Sequence, residues 1–132
     1  RARARRAQYI DDSMMSTGAL ASACIVGFDG QIYAQSADFP AITAAQVQTF
    51  KANIANPDAL GATGLMVGDN KFYTVACDPG SVLRGRKGAS GICIAMAKTC
   101  FLIGIYGEGQ QAGDVNNIVE SLCDYLKVRV LV

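Results

Sequence analysis

The sequence predicts an α+β domain built on a central, mainly antiparallel sheet. Three observations carry this. Short extended runs follow one another from Leu65 to Tyr106 across turns of a few residues, whereas a parallel crossover needs about a dozen. Two stretches, Val47 to Ile54 and Val115 to Leu126, repeat apolar residues at helical spacing. No internal repeat or low-complexity linker divides the 132 residues, so they fit one domain.

The elements read in order as helix, hairpin, helix, meander and helix. Ala7 to Met15 reads as a short helix, with Ile10 and Met14 four apart on one face and Thr17-Gly18 at its end. Ala21 to Phe28 is apolar enough for a strand buried on both faces. Asp29-Gly30 predicts a two-residue type I′ turn, and Gln31 to Gln35 returns as the second strand. Thr43 with Gln46 three residues on forms a capping box, which opens a helix carrying Val47, Phe50 and Ile54. Asn56-Pro57 stops that helix.

Strands then follow over Leu65–Val67, Lys71–Cys77, Ser81–Arg84, Gly91–Ala97 and Cys100–Tyr106, with turns at Gly68-Asp69-Asn70 and Asp78-Pro79-Gly80. A final helix runs from about Asp114 to Val128. Its apolar stripe is Val115, Ile118, Val119, Leu122 and Leu126, and Tyr125 lies off the stripe's centre.

Composition excludes several functions. Charged residues are 17% of the chain and the net charge is +1, unlike the broad basic face of a nucleic-acid binder. No histidine is present, so Ser-His-Asp and Cys-His chemistry and imidazole-ligated zinc are impossible. Four of the five cysteines (Cys24, Cys77, Cys93, Cys100 and Cys123) lie in apolar runs, and none stands in a C-x-x-C pair. They read as reduced buried thiols, which implies a reducing, cytoplasmic setting. No run reaches the ~18 apolar residues of a membrane helix. Residues 1–6, Arg-Ala-Arg-Ala-Arg-Arg, read as a solvated basic tail ahead of a single domain over 7–132.

Candidate sites are few. Arg84-Gly-Arg-Lys-Gly-Ala-Ser-Gly91 is the one dense basic cluster. It lacks the Gly-Lys-Ser/Thr of a phosphate loop. Composition alone favours a solvated loop between strands, and the sharper alternative is a patch for phosphate or an acidic protein surface. Gly107, Gly109 and Gly113 do not follow the dinucleotide spacing. Asp11 and Asp12 are neighbours, which do not converge from a helix for acid–base work. No cofactor or metal is expected. Tyr9, Tyr33 and Tyr125 would line a groove for a polyproline II segment if the outer helices packed beside the first hairpin. Taken singly they read as core or isolated surface tyrosines.

Several segments together resemble the profilin family. Gln8-Tyr-Ile-Asp-Asp12 is similar to its amino-terminal signature, and Ala21 to Gly30 with Tyr33-Ala-Gln-Ser36 to its first hairpin. Gly61-Ala-Thr-Gly-Leu65, Leu83-Arg-Gly-Arg-Lys-Gly88, Gly104-Ile-Tyr106 and Asn117 to Leu126 follow in the family's order. The resemblance implies that the amino- and carboxy-terminal helices pack on one face of the sheet and shorter helices on the other. It also implies a non-enzymatic, cytoskeleton-associated regulator of actin assembly, with monomeric actin and proline-rich assembly factors such as formins as partners.

By the same resemblance, the proline-rich groove maps to Arg6, Tyr9, Tyr33, Tyr125 and Leu126. The actin surface maps to Phe72, Arg84, Arg86, Lys87, Lys98 and Asn117. Arg84, Arg86 and Lys87 suit phosphoinositide head groups such as phosphatidylinositol bisphosphate. The family's amino-terminal tryptophan falls at Arg6, which offers less apolar area and implies weaker polyproline binding. Two other readings remain at this level. One is a small α+β scaffold regulating a GTPase or a trafficking complex. The other is a cysteine-nucleophile enzyme, which the apolar setting of the thiols disfavours.

Overall fold

A computed structural model describes residues 18, 20–36, 39–40, 42–55, 65–78 and 80–129. The helix expected over Ala7–Met15, the basic tail, and the Asn56-Pro57 stop lie outside the described residues. The elements are β1 (Ser22–Gly27), β2 (Ile32–Gln35), α1 (Ala44–Ala55), β3 (Leu65–Val67), β4 (Asn70–Asp78), β5 (Val82–Lys87), β6 (Ser90–Met96), β7 (Cys100–Tyr106) and α2 (Ala112–Arg129). The seven strands form one sheet in the order β2-β1-β7-β6-β5-β4-β3, and every pair is antiparallel.

Strand alternation divides the core into two layers. On one face Ala23, Ile25, Cys93, Ala95 and Leu102 meet Val115, Val119, Leu122 and Cys123 of α2, which stacks on β6 and β7. On the other face Cys24, Val26, Ile92, Ile94, Phe101 and Ile103 meet Val47, Phe50 and Ile54 of α1. The two described helices therefore sit on opposite faces. Gly104 sets the depth of α2: a Cβ there would come within 2.6 Å of both Leu20 and Val119.

The capping box holds α1 as the sequence predicts. Gln46 N donates to Thr43 Oγ1 at 3.1 Å, and Thr43 N donates back to Gln46 Oε1 at 3.3 Å. Gln46 also brackets the β3–β4 turn, accepting from Gly68 N at 3.0 Å and donating to Gly68 O at 2.9 Å. At the other end of α1, the carbonyl of Ile54 accepts from Gly80 N at 2.8 Å, so a carbonyl left open by the helix finds a partner.

Two expectations change. The first hairpin does not close on a two-residue turn at Asp29-Gly30. Gly30 N donates to Gly27 O at 2.9 Å and Gly27 N to Gln31 O at 2.8 Å. The loop is Phe28–Gly30, with Gly30 at φ +92°, the three-residue form that ends on a left-handed glycine. The basic cluster is not a loop either. Arg84 to Lys87 continue β5, and the turn falls at Gly88-Ala89. Gly85 reads as a turn residue in sequence. In the fold it lies where Phe72, Tyr73 and Ile92 approach within 3.1 to 3.3 Å of a notional Cβ, which calls for a glycine inside a strand.

Candidate ligand-binding surfaces

On its own side of the sheet α2 covers β6 and β7. It leaves a flank at β1–β2 and a second at β5–β4. A β-bulge shapes each. In the β1–β2 ladder Ile25 pairs with Ala34 and Val26 with Ile32, so Tyr33 is the extra residue. Tyr33 and Ala34 consequently both pack against the α2-side core. The phenol end of Tyr33 lies against the Gly27 backbone, where an added Cβ would stand 2.8 Å from its oxygen. In the β4–β5 ladder Thr74 pairs with Gly85 and Ala76 with Arg84, which leaves Val75 as the extra residue.

The β5–β4 flank is cationic and aromatic. Tyr73 is 63% and Val75 61% exposed. Tyr73 pairs with Arg86, and Lys71 Nζ lies 5.5 Å from the Tyr73 ring centroid. Val75, Arg84, Arg86, Tyr106, Ala112 and Asn116 frame a cavity of about 130 Å³ between β5 and the start of α2. Tyr106 reaches it because Gly91 beneath has no side chain; any Cβ at Gly91 would collide with the Tyr106 ring.

Arg84 is held in place. Its guanidinium forms an ion pair with Glu120 of α2. That hydrogen bond holds the guanidinium pKa above its ordinary value against an opposing effect of burial. Cys93 is Arg84's cross-strand partner. Burial, aided by the Glu120 charge, pushes the Cys93 thiol up to about 12. Burial likewise raises Cys24 to about 12. No disulfide joins any of the five cysteines, and only Cys77 is partly exposed. No group of three or more potential metal ligands occurs among the described residues.

The structure sorts the sequence-predicted residues. Of the proposed proline-rich set, Tyr33 lies on the β2 flank and Tyr125 on α2 at 43% exposure. Leu126 lies on α2, its side chain outside what is described; Arg6 and Tyr9 fall outside the described residues. Helical spacing places Tyr125 with Ile118 and Ser121, on the side of α2 turned away from Arg84.

Of the proposed actin set, Arg84 and Arg86 share the flank just described. Phe72 does not join them: it is 2% exposed in the α1-side core, and a side chain so buried offers nothing to a partner. Lys87 alternates to the α1 side of β5, where its Nζ donates to Asn70 Oδ1 at 2.9 Å. The trio Arg84, Arg86 and Lys87 therefore does not converge on one phosphate. Lys98 is exposed in the β6–β7 turn, at the opposite end of the sheet from Lys87. Asn117 lines the outer groove with Ile118, Ser121 and Leu122, and it is Asn116 that faces the arginines. Sequence reading missed Tyr73, Val75, Asn116 and Glu120. A two-residue period through Tyr73-Thr-Val75 was the available signal for the first two.

The family model described as Profilin matches residues 6–129. Solved structures agree. The chain is 35% identical to Acanthamoeba castellanii profilin IB, with a TM-score of 0.86 over 94% of this chain and 98% of that one. It is 30% identical to Schizosaccharomyces pombe profilin, with a TM-score of 0.84 over 94% and 97%. Mouse profilin IIa, solved in complex with a double repeat from the FH1 domain of mDia1, shares the fold at 21% identity and a TM-score of 0.77, over 93% and 96%. A family match across nearly the whole chain, on a sheet with α1 and α2 on its two faces, establishes that this chain belongs to the profilin family.

Proposed function

We propose that this chain binds monomeric actin through the β5–β4 flank and proline-rich segments through the β1–β2 flank, and so delivers actin to assembly factors. The family is one of non-enzymatic actin-binding proteins, and no described helix is long and apolar enough to cross a membrane. The observation that carries the reading is the exposed group Tyr73, Val75 and Arg86, beside the start of α2 and separated by that helix from Tyr33. Large exposed apolar side chains next to unburied guanidinium groups are the composition of a protein-docking patch. Arginine there steers an acidic partner and sets its register.

On this reading Arg84, Arg86, Asn116, Tyr73 and Val75 meet actin, and Lys87 and Lys98 contribute charge from the rim. Arg6, Tyr9, Tyr33, Tyr125 and Leu126 form the proline-rich site. The FH1 complex of the mouse relative supports a formin-type ligand. Arg84 and Arg86 together suit an inositol phosphate head group, with Lys87 acting only at long range. Retention on a polyproline resin, followed by co-elution of actin monomers, tests the two sites at once. Capture of neither ligand contradicts the proposal.

A further inference from the structure

We infer that the chain carries a separate binding site for a small organic anion, on the α1 side of the sheet, the opposite face from the two flanks described above. Five strands end together there. β1 begins at Ser22, β4 at Asn70 and β6 at Ser90, while β5 ends at Lys87 and β7 nears its end at Ile105. Register fixes the grouping, because Ser22 pairs with Ile105 and Lys87 with Ser90. Together with Pro40, from the segment between β2 and α1, and Phe72, these residues line a cavity of about 210 Å³.

The lining is a set of donors over an apolar floor. Phe72 and Ile105 belong to the α1-side core and form the floor. Lys87 supplies the cation, already oriented by its 2.9 Å hydrogen bond to Asn70 Oδ1. That bond uses the amide oxygen and leaves the Asn70 NH₂ as a donor. Ser22 is only 5% exposed, yet it opens into the cavity, and Ser90 faces it from β6. No described hydrogen bond engages either hydroxyl. Both hydroxyls are therefore open to a guest, and a carboxylate or phosphate oxygen can accept from them and from the ammonium.

Among the described residues, none of the seven that line the cavity is acidic, which favours an anionic guest. A cavity of that volume admits a small guest rather than a nucleotide or a lipid. That size is a short-chain carboxylate or a small phosphate ester, with its alkyl part on Phe72 and Ile105.

Amide chemical shifts of the intact protein, followed during titration with butyrate and separately with inorganic phosphate at constant ionic strength, test this. Saturable shifts at Ser22, Asn70, Lys87 and Ser90 are expected with butyrate. The Lys87→Met variant should bind at least about tenfold more weakly, the loss of one charge-assisted hydrogen bond. Ser22→Val, which removes one hydroxyl donor, should weaken binding. If that variant does not fold, Ser90→Ala, at a partly exposed position, serves instead and should weaken binding. Shifts that do not saturate, that spread equally to Lys51 and Lys98, or that persist unchanged in Lys87→Met would overturn the assignment. Saturation by phosphate alone would also overturn it, because the apolar floor then plays no part.

Discussion

Arg84 of β5 and Glu120 of α2 form an ion pair that ties the sheet to the carboxy-terminal helix. The side chains are 38% and 31% exposed, so water and salt screen much of the attraction. Arg84 Nε is buried without a hydrogen-bond partner, which leaves the outer edge of the guanidinium to Glu120. Glu120→Gln should therefore cost no more than about 1 kcal/mol in urea unfolding, with the difference shrinking in molar salt. A loss of several kcal/mol that salt leaves untouched would contradict this account of the pair.

Gly104 answers a different question, how closely α2 can approach. Gly104→Ala places a methyl group within 2.6 Å of Leu20 Cδ2 and Val119 Cγ2. The expected cost is about 1–3 kcal/mol of overpacking, read as a lower denaturation midpoint. Gly109→Ala has open space around its Cβ, but its φ of +89° makes it strained for a different reason. The two variants separate packing from backbone strain: a compensating reduction at Leu20 should rescue only Gly104→Ala.

The buried thiols make stability depend on alkaline pH. Cys24 and Cys93 keep their protons in the folded state to about pH 12, against an ordinary value of 9.0. The unfolded chain releases those protons at lower pH. The native state then binds more protons than the unfolded state, so stability falls as pH rises. The contribution is complete below about pH 9 and is lost progressively towards pH 12. Unfolding free energies measured across that window should decline, and Cys93→Ala should flatten the slope. Below pH 9, thiol reagents should label Cys77 first, since it alone among the five is partly exposed.

Phe72 and Arg86 separate core from surface on neighbouring strands. Phe72→Ala removes a side chain that is 2% exposed and should cost about 3–5 kcal/mol of stability. Arg86→Glu should leave stability within ±0.5 kcal/mol while it weakens actin binding. Equal stability losses in the two variants would contradict the placement of these residues.

The elements that sequence reading located well are those fixed by local chemistry. The Thr43–Gln46 capping box and the stripe Val47, Phe50 and Ile54 each need only residues within one or two turns of helix, and all three apolar side chains are fully buried. Leu65–Val67 was legible because two turn residues follow it at once. The surfaces were less legible because bulges and register set them. Nothing local marks Tyr33 or Val75 as an extra residue; the partner strand decides it. Gly85 to Lys87 read as a loop because charge and glycine are rare inside strands. In the fold the charges project from the faces of β5, and Gly85 admits Phe72 beneath. That Asn116 rather than Asn117 lies beside the arginines was illegible for a similar reason. One step along a helix turns a side chain by about 100°, and only the position of Arg84 shows which of the two faces the site.

The proposed proline-rich site rests on Tyr33 of the β1–β2 flank and Tyr125 of α2. Tyr33→Ala should reduce retention on a polyproline resin by at least about tenfold, because aromatic anchors dominate such grooves. With arginine at position 6, the unmodified chain should bind a proline decamer more weakly than tryptophan-bearing profilins do. Calorimetric titration checks both statements, and undiminished binding by Tyr33→Ala would remove that flank from the site.

The most direct test is the affinity of the chain for monomeric actin, measured by its suppression of spontaneous pyrene-actin assembly. The unmodified chain should lengthen the lag in proportion to its concentration. Arg86→Glu should lose at least about tenfold of that effect at low salt, as expected when a steering charge at an interface is reversed. An unmodified chain that leaves the lag unchanged, or an Arg86→Glu variant as potent as the parent, would contradict the assignment of the β5–β4 flank to actin.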